Sequence, residues 1–199
     1  MSTKPLSIGL TGGIGSGKTL IAKVFMEIGV PVFFSDIVAK ECYRDKSFVE
    51  EVARVISPTI IVNGEFSKQE LARIIFTDNT KREQLNKLVH PKVLRMYNHW
   101  YKKQDTPYII LESAILFEIG WQQHFNKIIN VQSPQEVAIE RIMQRDGITE
   151  KEAMTRIESQ LSSKSKSMLA DYVIRHDNLT MLLPQILTVH NEILKLANK

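Results

Sequence analysis

The sequence predicts an α/β fold in three layers, with a parallel sheet between helices, a helical insertion and a small lid. The first observation is a strand, a glycine loop and a helix that follow one another over residues 6–28. The second is another short apolar run, residues 31–34, which ends just before an aspartate. The third is the return of short apolar runs after a long helical stretch. Such alternation of strands and helices is typical of a parallel sheet.

The elements of the first half can be placed from apolar spacing and turn residues. We predict strands at residues 6–10 and 31–34, and helices at residues 19–28 and 37–43. From residue 47 to 103 the pattern is helical and rich in charge, broken by Pro58, by the turn residues Asn63 and Gly64, and by Pro91. This stretch therefore predicts an all-helical insertion.

Strand character returns in the second half, at residues 108–111, 127–131 and 171–174. A helix is expected at residues 134–145, with Ser133 as its N-cap. Thr149 and Glu152 have the spacing of a capping box at the start of the next helix. The chain then closes on an amphipathic helix at residues 179–196, interrupted near its start by Pro184.

Length and composition favour one globular domain over residues 1–199. Hydrophobic residues make up 43% of the chain and charged residues 24%, so neither a disordered nor a fibrous protein is expected. The net charge of +4 suits anionic ligands and is too small to indicate nucleic acid. No apolar run approaches the roughly 20 residues of a membrane span. The lone Cys42, expected to be a buried small hydrophobe, favours a reducing compartment, and we expect a cytoplasmic protein without a membrane partner.

Residues 12–19 read GGIGSGKT and satisfy the motif G-x-x-x-x-G-K-[ST], with a predicted strand before it and a helix after it. Glycines allow backbone amides to surround a phosphate at the N-terminus of a helix, so this motif is a phosphate-binding loop, or P-loop. Lys18 would reach the β and γ phosphates of ATP, and the hydroxyl of Thr19 would bind Mg²⁺. The expected nucleotide-binding residues of the loop are Gly13, Ile14, Gly15, Ser16, Gly17, Lys18 and Thr19.

Other motifs separate the classes of P-loop protein. The N-K-x-D and D-x-x-G motifs of GTPases do not occur in this sequence, which argues against that class. Motor and transport ATPases usually have a strand that ends in an acidic residue, and residues 109–112, IILE, are an ambiguous candidate. The sequence therefore favours a kinase.

A phosphoryl-transfer site needs residues that bind the acceptor at one end and residues that stabilise the charge of the donor phosphates at the other. Asp36, just after a predicted strand, could take a proton from an acceptor hydroxyl, although it could equally be a helix N-cap. Arg141 and Arg145 stand four residues apart on one helix, and Arg156 follows on the next. These arginines could close over ATP as a lid at about residues 139–165, although each alone could also be a solvated surface charge.

Several longer segments share an order that resembles the dephospho-CoA kinase family. The resemblance covers residues 6–174 and includes IGLTGGIGSGKT at 8–19, FFSDIVAKE at 33–41, LARIIF at 71–76, LNKLVHP at 85–91, AILFE at 114–118, the arginine-rich stretch at 141–160 and LADYVIRHD at 169–177. It implies ATP-dependent phosphorylation of the ribose 3′-hydroxyl of dephospho-CoA, the last step of coenzyme A biosynthesis. It also implies ATP and Mg²⁺ as cofactors, and we expect a monomer or weak homo-oligomer.

The resemblance also implies a division of the chain and roles for individual residues. A core at about residues 1–46 and 105–199 would carry ATP, and a helical insertion at about 47–104 would bind the acceptor. Catalytic roles fall to Asp36 as the base, Lys18 and Arg141, while Arg145 and His176 would contact ATP. The implied acceptor-binding residues are Thr11, Asp36, Phe76, Asn86, His90, Pro91, Leu116, Glu118 and Arg156.

The chain departs from the family pattern at three places. Ala114 replaces a usual proline, His176 replaces an asparagine, and the glycine expected soon after that asparagine is missing. Contacts with adenine are therefore open at this end of the site. Three alternatives also remain: a nucleoside or nucleoside monophosphate kinase, a nucleotide-switched binding protein, and an ATPase that acts on nucleic acid.

Overall fold

The computed structural model describes residues 4–198, and its elements alternate between strands and helices at both ends of the chain. The strands are β1 Leu6–Gly12, β2 Val32–Phe34, β3 Ile61–Val62, β4 Glu65–Phe66, β5 Tyr108–Glu112, β6 Lys127–Gln132 and β7 Tyr172–Arg175. The helices are α1 Lys18–Glu27, α2 Ser35–Glu41, α3 Lys46–Val55, α4 Lys68–Thr77, α5 Asn79–Tyr101, α6 Gln135–Asp146, α7 Glu150–Glu158, α8 Ser163–Leu169 and α9 Leu182–Ala197.

The chain divides into two compact units. One unit extends to Phe34 and resumes at Gln104, and the other is Ser35–Lys103. The first contains the parallel sheet and the P-loop, and the second contains α2 to α5 with the β3–β4 pair. Because β2 ends at Phe34, the boundary falls immediately after a strand of the sheet.

The sheet has the order β2-β5-β1-β6-β7, and all of its strand pairs are parallel. This confirms the α/β prediction. Strand β1 lies at the centre, between β5 on one side and β6 on the other, so the direction of chain progression reverses there. Ligands of open α/β sheets bind at such a reversal, beyond the carboxyl ends of the strands. The P-loop follows β1 at that place.

One face of the sheet is covered by α1 and α9. Successive side chains of a strand point to opposite faces of the sheet, so alternate residues of each strand pack against these two helices. The fully buried residues of the layer include Ile8, Leu10, Ile110, Ile129 and Ile174 from the sheet and Ile21, Phe25, Ile186 and Ile193 from the two helices. This layer holds the base of the P-loop in place.

Gly9 lies on the opposite face of the sheet, where a side chain would not fit. A Cβ atom at Gly9 would lie 2.6 Å from Leu116 Cδ1 and 3.2 Å from a ring carbon of Phe125. Asn130 also points to this side and donates from Nδ2 to Ser167 Oγ in α8 at 2.9 Å. The sheet is thus covered on both faces, which explains the continuous apolar run of β5.

The Ser35–Lys103 unit is not all helical. Ile61 and Val62 pair in an antiparallel ladder with Glu65 and Phe66, so the all-helical prediction was wrong at this place. Asn63 and Gly64 form the two-residue turn with φ values of 51° and 80°, the left-handed conformation that such a hairpin requires. Two strands of two residues each are too short for sequence periodicity to indicate.

Pro91 does not end a helix, contrary to the sequence prediction. Helix α5 runs for 23 residues, Asn79–Tyr101, and contains Pro91 in its interior. Proline removes one N–H donor from the helical ladder, but packing of the buried residues Leu85, Val89 and Val93 continues on both sides of it. Within residues 4–198, no helix is both long enough and apolar enough to cross a membrane.

The helix starts in the second half differ in how well they were predicted. The capping box of Thr149 and Glu152 is present at the start of α7, as predicted. Ser133 does not cap α6, because its hydroxyl donates instead to the carbonyl oxygen of His176 at 2.7 Å. Pro184 lies in the first turn of α9, where proline is tolerated, so it does not interrupt the helix.

A partly buried contact between β5 and α9 makes stability depend on pH. Tyr108 Oη lies 2.6 Å from His190 Nδ1, and burial lowers the pKa of His190 below 6.5. The unfolded state therefore binds a proton more readily than the folded state, and stability falls as pH drops below about 6.5. Urea unfolding between pH 7.5 and 5 should show this loss, and His190→Gln should reduce it. An equal loss in both proteins would contradict the assignment.

Candidate active site

The P-loop turns sharply between Gly12, the last residue of β1, and Lys18, the first residue of α1. Gly15 and Gly17 have φ values of 78° and 85°, a conformation that residues with a Cβ atom rarely adopt. Gly17 is the N-cap of α1 and offers no side chain to cover the first amides of the helix. These amides lie at the positive end of the helix dipole and can bind an anion.

Close packing from outside fixes the shape of the loop. A Cβ atom on Gly15 would lie 2.5 Å from the carbonyl oxygen of Ala138 in α6. A Cβ atom on Gly17 would overlap the imidazole of His176. Glycine is therefore required at both positions for two reasons. A side chain would clash with these neighbours, and the backbone conformation disfavours residues with a Cβ atom.

Lys18 lies near an acidic residue at the end of the neighbouring strand β5. Its Nζ is 3.9 Å from Glu112 Oε1, and the exposed fractions of the two side chains are 11% and 4%. At this separation the two opposite charges attract each other without a close contact between Nζ and Oε1. Glu112 is the residue that sequence analysis left ambiguous, and its position on β5 next to β1 could be found only from the strand order.

Arg141 contacts the outer side of the P-loop. Its Nη1 donates to the carbonyl oxygens of Gly15 and Ser16, each at 3.3 Å, and to Ser133 Oγ at 3.2 Å. Burial lowers the pKa of its guanidinium group from the usual value, although arginine stays charged at any ordinary pH. The cation thus helps to hold two carbonyl oxygens of the loop on the side of α6.

His176, the residue that replaces the family's asparagine, also contacts the loop. Its Nδ1 is 2.9 Å from the carbonyl oxygen of Ser16 and 3.2 Å from Arg141 Nη1. Burial, and then the charge of Arg141, lower the pKa of the imidazole below 6.5, while the bond to Ser16 opposes the change. The ring is therefore neutral at pH 7 and can donate from Nδ1 to the loop.

Asn178 lies two residues after His176, in the region where the glycine of the family pattern is missing. It adopts the left-handed backbone conformation that glycine most readily adopts. Its φ is 65°, and asparagine is among the few residues that tolerate this left-handed conformation. Its Oδ1 accepts a hydrogen bond from Arg141 Nη2. Sequence analysis missed this residue, although an asparagine in a predicted turn is a usable signal.

Gln160 is a second contact that sequence reasoning did not assign. Its Oε1 accepts a hydrogen bond from the amide of Ile14 at 2.9 Å, which joins the end of the α7 region to the P-loop. The two residues line a cavity of about 150 Å³ together with Ser16, whose buried hydroxyl has no hydrogen-bond partner among residues 4–198. A small cavity that contains an unpaired hydroxyl therefore adjoins the loop.

Two of the expected acceptor-binding residues, Leu116 and Glu118, have protein partners. Leu116 is fully buried over Gly9. Glu118 Oε1 lies 2.8 Å from the Nζ of Lys166, whose side chain is completely buried, and also accepts from the amide of Leu161 at 3.0 Å. Lys166 Nζ donates in addition to the carbonyl oxygen of Ala114 at 2.6 Å. Substrate contact by Leu116 and Glu118 stays a prediction.

Loss of the Lys166 charge should destabilise the protein. Removal of one partner of a buried ion pair typically costs about 3–5 kcal/mol, because the other charge loses its compensation. We expect Lys166→Met to lower the free energy of unfolding in urea by about 3 kcal/mol, and the double variant Lys166→Met/Glu118→Gln to recover part of it. The exposed neighbour Lys164→Met is the control. Equal stability of the two single variants would refute this role of Lys166.

The other two predicted lid arginines bind a single carboxylate. Arg145 donates from Nε and Nη2 to the two oxygens of Asp146 at 2.8 and 2.9 Å. Arg156 Nη1 donates to Asp146 Oδ2 and so links α7 to the end of α6. Arg141 and Arg145 share a helix but belong to different networks. Contact of Arg145 with ATP and of Arg156 with acceptor remains a prediction.

Thr11 differs from the other predicted acceptor-binding residues because it lies within the sheet. It belongs to β1 and is fully buried. Its hydroxyl has no hydrogen-bond partner among the described residues. The site therefore has a second unpaired hydroxyl just before the P-loop.

Asp36 belongs to the other unit, in the first turn of α2. The helix begins at Ser35, so Asp36 is not its N-cap, and that alternative is wrong. Its side chain is exposed, and within residues 4–198 its carboxylate has no hydrogen-bond or ion-pair partner. The carboxylate is thus available to accept a hydrogen bond from a ligand.

The remaining predicted acceptor residues lie on α4 and α5. Asn86 and His90 are four residues apart on α5 and therefore share a face, with Pro91 directly after them. Burial lowers the pKa of His90 below 6.5, so its imidazole is neutral at pH 7. Phe76 on α4 is 88% exposed, which is unusual for a large aromatic side chain and available for contact with a ligand.

Comparison with known proteins identifies the family. The model of the dephospho-CoA kinase family matches residues 6–181, which is most of the chain. The chain belongs to the dephospho-CoA kinase family. Members of this family use ATP to phosphorylate dephospho-CoA to coenzyme A, in the last step of its biosynthesis. The resemblance seen in the sequence is confirmed.

Relatives match over nearly their whole length. The dephospho-CoA kinase of Bacteroides fragilis is 35% identical over 184 residues, which cover 92% of this chain and 90% of the relative. That of Fusobacterium nucleatum is 37% identical over 172 residues, 86% of this chain and 89% of the relative. A crystal structure from Thermus thermophilus has a TM-score of 0.85 at 30% identity, covering 97% of this chain and 98% of the other.

A more distant solved structure shares only the fold. A shikimate kinase from Bacteroides thetaiotaomicron has a TM-score of 0.52 at 18% identity, and the match covers 98% of this chain and 99% of that chain. The parallel sheet with flanking helices is therefore common to kinases with different acceptors. The identity of the acceptor must be argued from this chain's own residues.

Proposed function

We propose that this protein transfers the γ-phosphoryl group of ATP to the ribose 3′-hydroxyl of dephospho-CoA and so produces coenzyme A. The observation that carries the proposal is the P-loop, with Lys18 at its end and Glu112 nearby, at the chain reversal of a sheet that belongs to this family. Phosphoryl transfer makes small demands on covalent chemistry, so positioning and charge stabilisation supply most of the catalysis.

The P-loop would bind the triphosphate of ATP through residues 13–19. Backbone amides of the loop and the N-terminus of α1 face the anion, while Arg141 and His176 hold carbonyl oxygens of Gly15 and Ser16 on the outer side. The Lys18 ammonium group would leave its loose pairing with Glu112 and contact the β and γ phosphates. Because these contacts hold the loop backbone from outside, the loop would need little reorganisation around the phosphates.

The residues near Lys18 suit a magnesium ion. The hydroxyl of Thr19 and the carboxylate of Glu112 are hard oxygen donors, the kind that Mg²⁺ prefers, and a cation would compensate the buried charge of Glu112. When bound with ATP, Mg²⁺ neutralises charge on the β and γ phosphates. Thr19 would ligate the ion directly, and Glu112 would bind it or one of its waters.

Asp36 would act on the acceptor. Its exposed carboxylate can accept a hydrogen bond from the ribose 3′-hydroxyl, orient the oxygen toward the γ phosphate, and take the proton as the new P–O bond forms. Asn86, His90 and Phe76 of the same unit would hold the acceptor. Arg141, Arg145 and Arg156 would stabilise the negative charge of the transferring group or hold the acceptor once ATP is bound.

A panel of acceptors tests this proposal. The protein is incubated with ATP and Mg²⁺ and with dephospho-CoA, AMP, adenosine or no acceptor, and the phosphorylated product is identified by mass spectrometry. We expect coenzyme A to form with a kcat/KM far above that of every other acceptor. Phosphorylation of AMP or adenosine in preference to dephospho-CoA, or ATP binding without any transfer, would refute the proposal.

A further inference from the structure

Strand β7 is the last strand in the order of the parallel sheet, and β6 is its only neighbour among the strands that the structure describes. Just after β7, the N–H of His176 donates to the carbonyl oxygen of Gln132 in β6 at 2.8 Å. Successive residues of a strand direct their backbone groups to opposite sides, so the N–H and C=O of Arg175 point away from β6. These two groups need a partner from outside the sheet.

Gln185 of α9 supplies that partner with its side-chain amide. Its Oε1 accepts a hydrogen bond from the N–H of Arg175 at 2.9 Å, and its Nε2 donates to the carbonyl oxygen of the same residue at 3.0 Å. An amide side chain offers a donor and an acceptor, as a peptide group does. Gln185 thus takes the place that a residue of a further strand would have.

A third hydrogen bond fixes the orientation of this amide. Nε2 of Gln185 also donates to the carbonyl oxygen of Met181, the N-cap residue of α9, at 3.0 Å. Both hydrogens of Nε2 are therefore used, and the reversed amide would place Oε1 against two carbonyl oxygens. Gln185 joins the beginning of α9 to the end of β7 in one defined way.

His176, the residue after Arg175, connects this end of β7 to the P-loop. Its carbonyl oxygen accepts from Ser133 Oγ at 2.7 Å and from Arg141 Nη2 at 3.4 Å. Its ring Nδ1 lies 2.9 Å from the carbonyl oxygen of Ser16 in the loop. A shift of Arg175 would therefore move a side chain that contacts the P-loop directly.

The turn that follows His176 is closed by its own residues. Asp177 Oδ1 accepts from the amides of Leu179 and Thr180 at 3.0 and 2.7 Å. These bonds shape the turn, but they do not join it to another element. The hold of Gln185 on the end of β7 is thus a separate support for the same segment.

We propose that Gln185 is a positioning residue for ATP binding. By holding both backbone groups of Arg175, it keeps His176 against the carbonyl oxygen of Ser16 and so keeps the P-loop in the shape that binds the triphosphate. Gln185 acts through these residues and not by contact with ATP. This role rests on the proposed function, since it takes the P-loop as the ATP site.

Removal of the amide tests this role. Gln185→Met keeps the length of the side chain without its hydrogen-bonding groups, and Gln185→Ala removes the side chain in favour of a strong helix former. Asn191→Met is the matched control, because Asn191 is exposed six residues further along α9. The measurements are the Kd of ATP with Mg²⁺ by calorimetry without acceptor, the Kd of dephospho-CoA, Tm, and hydrogen exchange of the Arg175 amide by NMR.

We expect both Gln185 variants to raise the Kd of ATP about fivefold, the usual effect of one lost hydrogen bond, and to leave the Kd of dephospho-CoA unchanged. The amide of Arg175 should exchange faster in both, and Asn191→Met should match wild type throughout. In a His176→Ala protein, Gln185→Met should change the Kd of ATP by less than about twofold, because the residue through which Gln185 acts is already lost.

An unchanged Kd of ATP in both Gln185 variants overturns the inference, and Gln185 would then only cover the edge of the sheet. An equal effect of Gln185→Met with and without His176, or an equal weakening of dephospho-CoA binding, overturns it as well. Because ATP binding is measured without an acceptor, the test stays decisive if wild type makes no coenzyme A, a result that refutes the proposed function instead.

Discussion

Replacement of Lys18 by alanine is expected to lower kcat by about a thousandfold or more. The ammonium group is the cation of the P-loop that would follow the γ phosphate as charge moves during transfer. Its Nζ lies 3.9 Å from Glu112 Oε1, and it would turn to the β and γ phosphates when ATP binds. The measurement is the steady-state rate of coenzyme A formation at saturating ATP and dephospho-CoA.

A second lysine on α1 is the control for this prediction. Lys23 is exposed one and a half turns further along the helix, and Lys23→Ala should leave kcat within twofold of wild type. Tm of both variants should also be measured, because Lys18 is largely buried and its loss can lower stability. A folded Lys18→Ala protein with kcat within tenfold of wild type would remove this lysine from the reaction.

Asp36→Asn is expected to lower kcat by about 10²–10⁴, the usual range for loss of general-base assistance. The amide keeps the shape of the side chain and can still contact the acceptor, but it cannot take the proton from the 3′-hydroxyl. Because Asp36 is exposed and its carboxylate has no partner among residues 4–198, Tm should not change. The dissociation constant of ATP, measured by calorimetry, should also stay the same.

Glu41→Gln gives the matched control for Asp36→Asn. Glu41 lies at the other end of α2, so the variant removes one carboxylate from the same helix without approaching the proposed base. We expect it to retain wild-type kcat. An Asp36→Asn protein with normal turnover, or one whose only defect is weaker ATP binding, would contradict the base assignment.

The sequence predicted the sheet and the P-loop well because both depend on short local patterns. The central strands β1, β5 and β6 are buried on both faces and read as largely apolar runs, and the loop needs glycines at fixed positions such as Gly15 and Gly17. The boundaries of β5 and β6 differ from the prediction by only one residue at one end. Short local patterns in the sequence were therefore sufficient to predict these elements.

Contacts between distant residues could not be predicted in the same way. Ser133 has the right place for an N-cap, but a carbonyl oxygen 43 positions away takes its hydroxyl. Glu118 and Lys166 are 48 positions apart, and nothing in either local sequence indicates that they form an ion pair. Pairing of this kind depends on how the elements pack, which periodicity does not report.

In the Ser35–Lys103 unit, the sequence predicted a break in a helix that the structure does not have. Pro91 is a strong helix breaker in isolation, but α5 continues through it because apolar residues on both sides remain buried. Packing along a 23-residue helix outweighs the lost hydrogen bond and the clash of the proline ring, which together cost about 3 kcal/mol or more. The rule that proline ends a helix therefore failed at Pro91, where buried side chains on both sides stabilise α5.

The close approach of Gly15 to Ala138 limits how a lid can move. Ala138 of α6 packs against the loop backbone at Gly15 with no room for a methyl group, so this contact ties α6 to the P-loop. Gln160 and Leu161 are likewise tied, through Ile14 and Glu118. The part of the lid between these anchors is therefore residues 147–159, which begins at Gly147, a glycine with φ 66°, and contains α7.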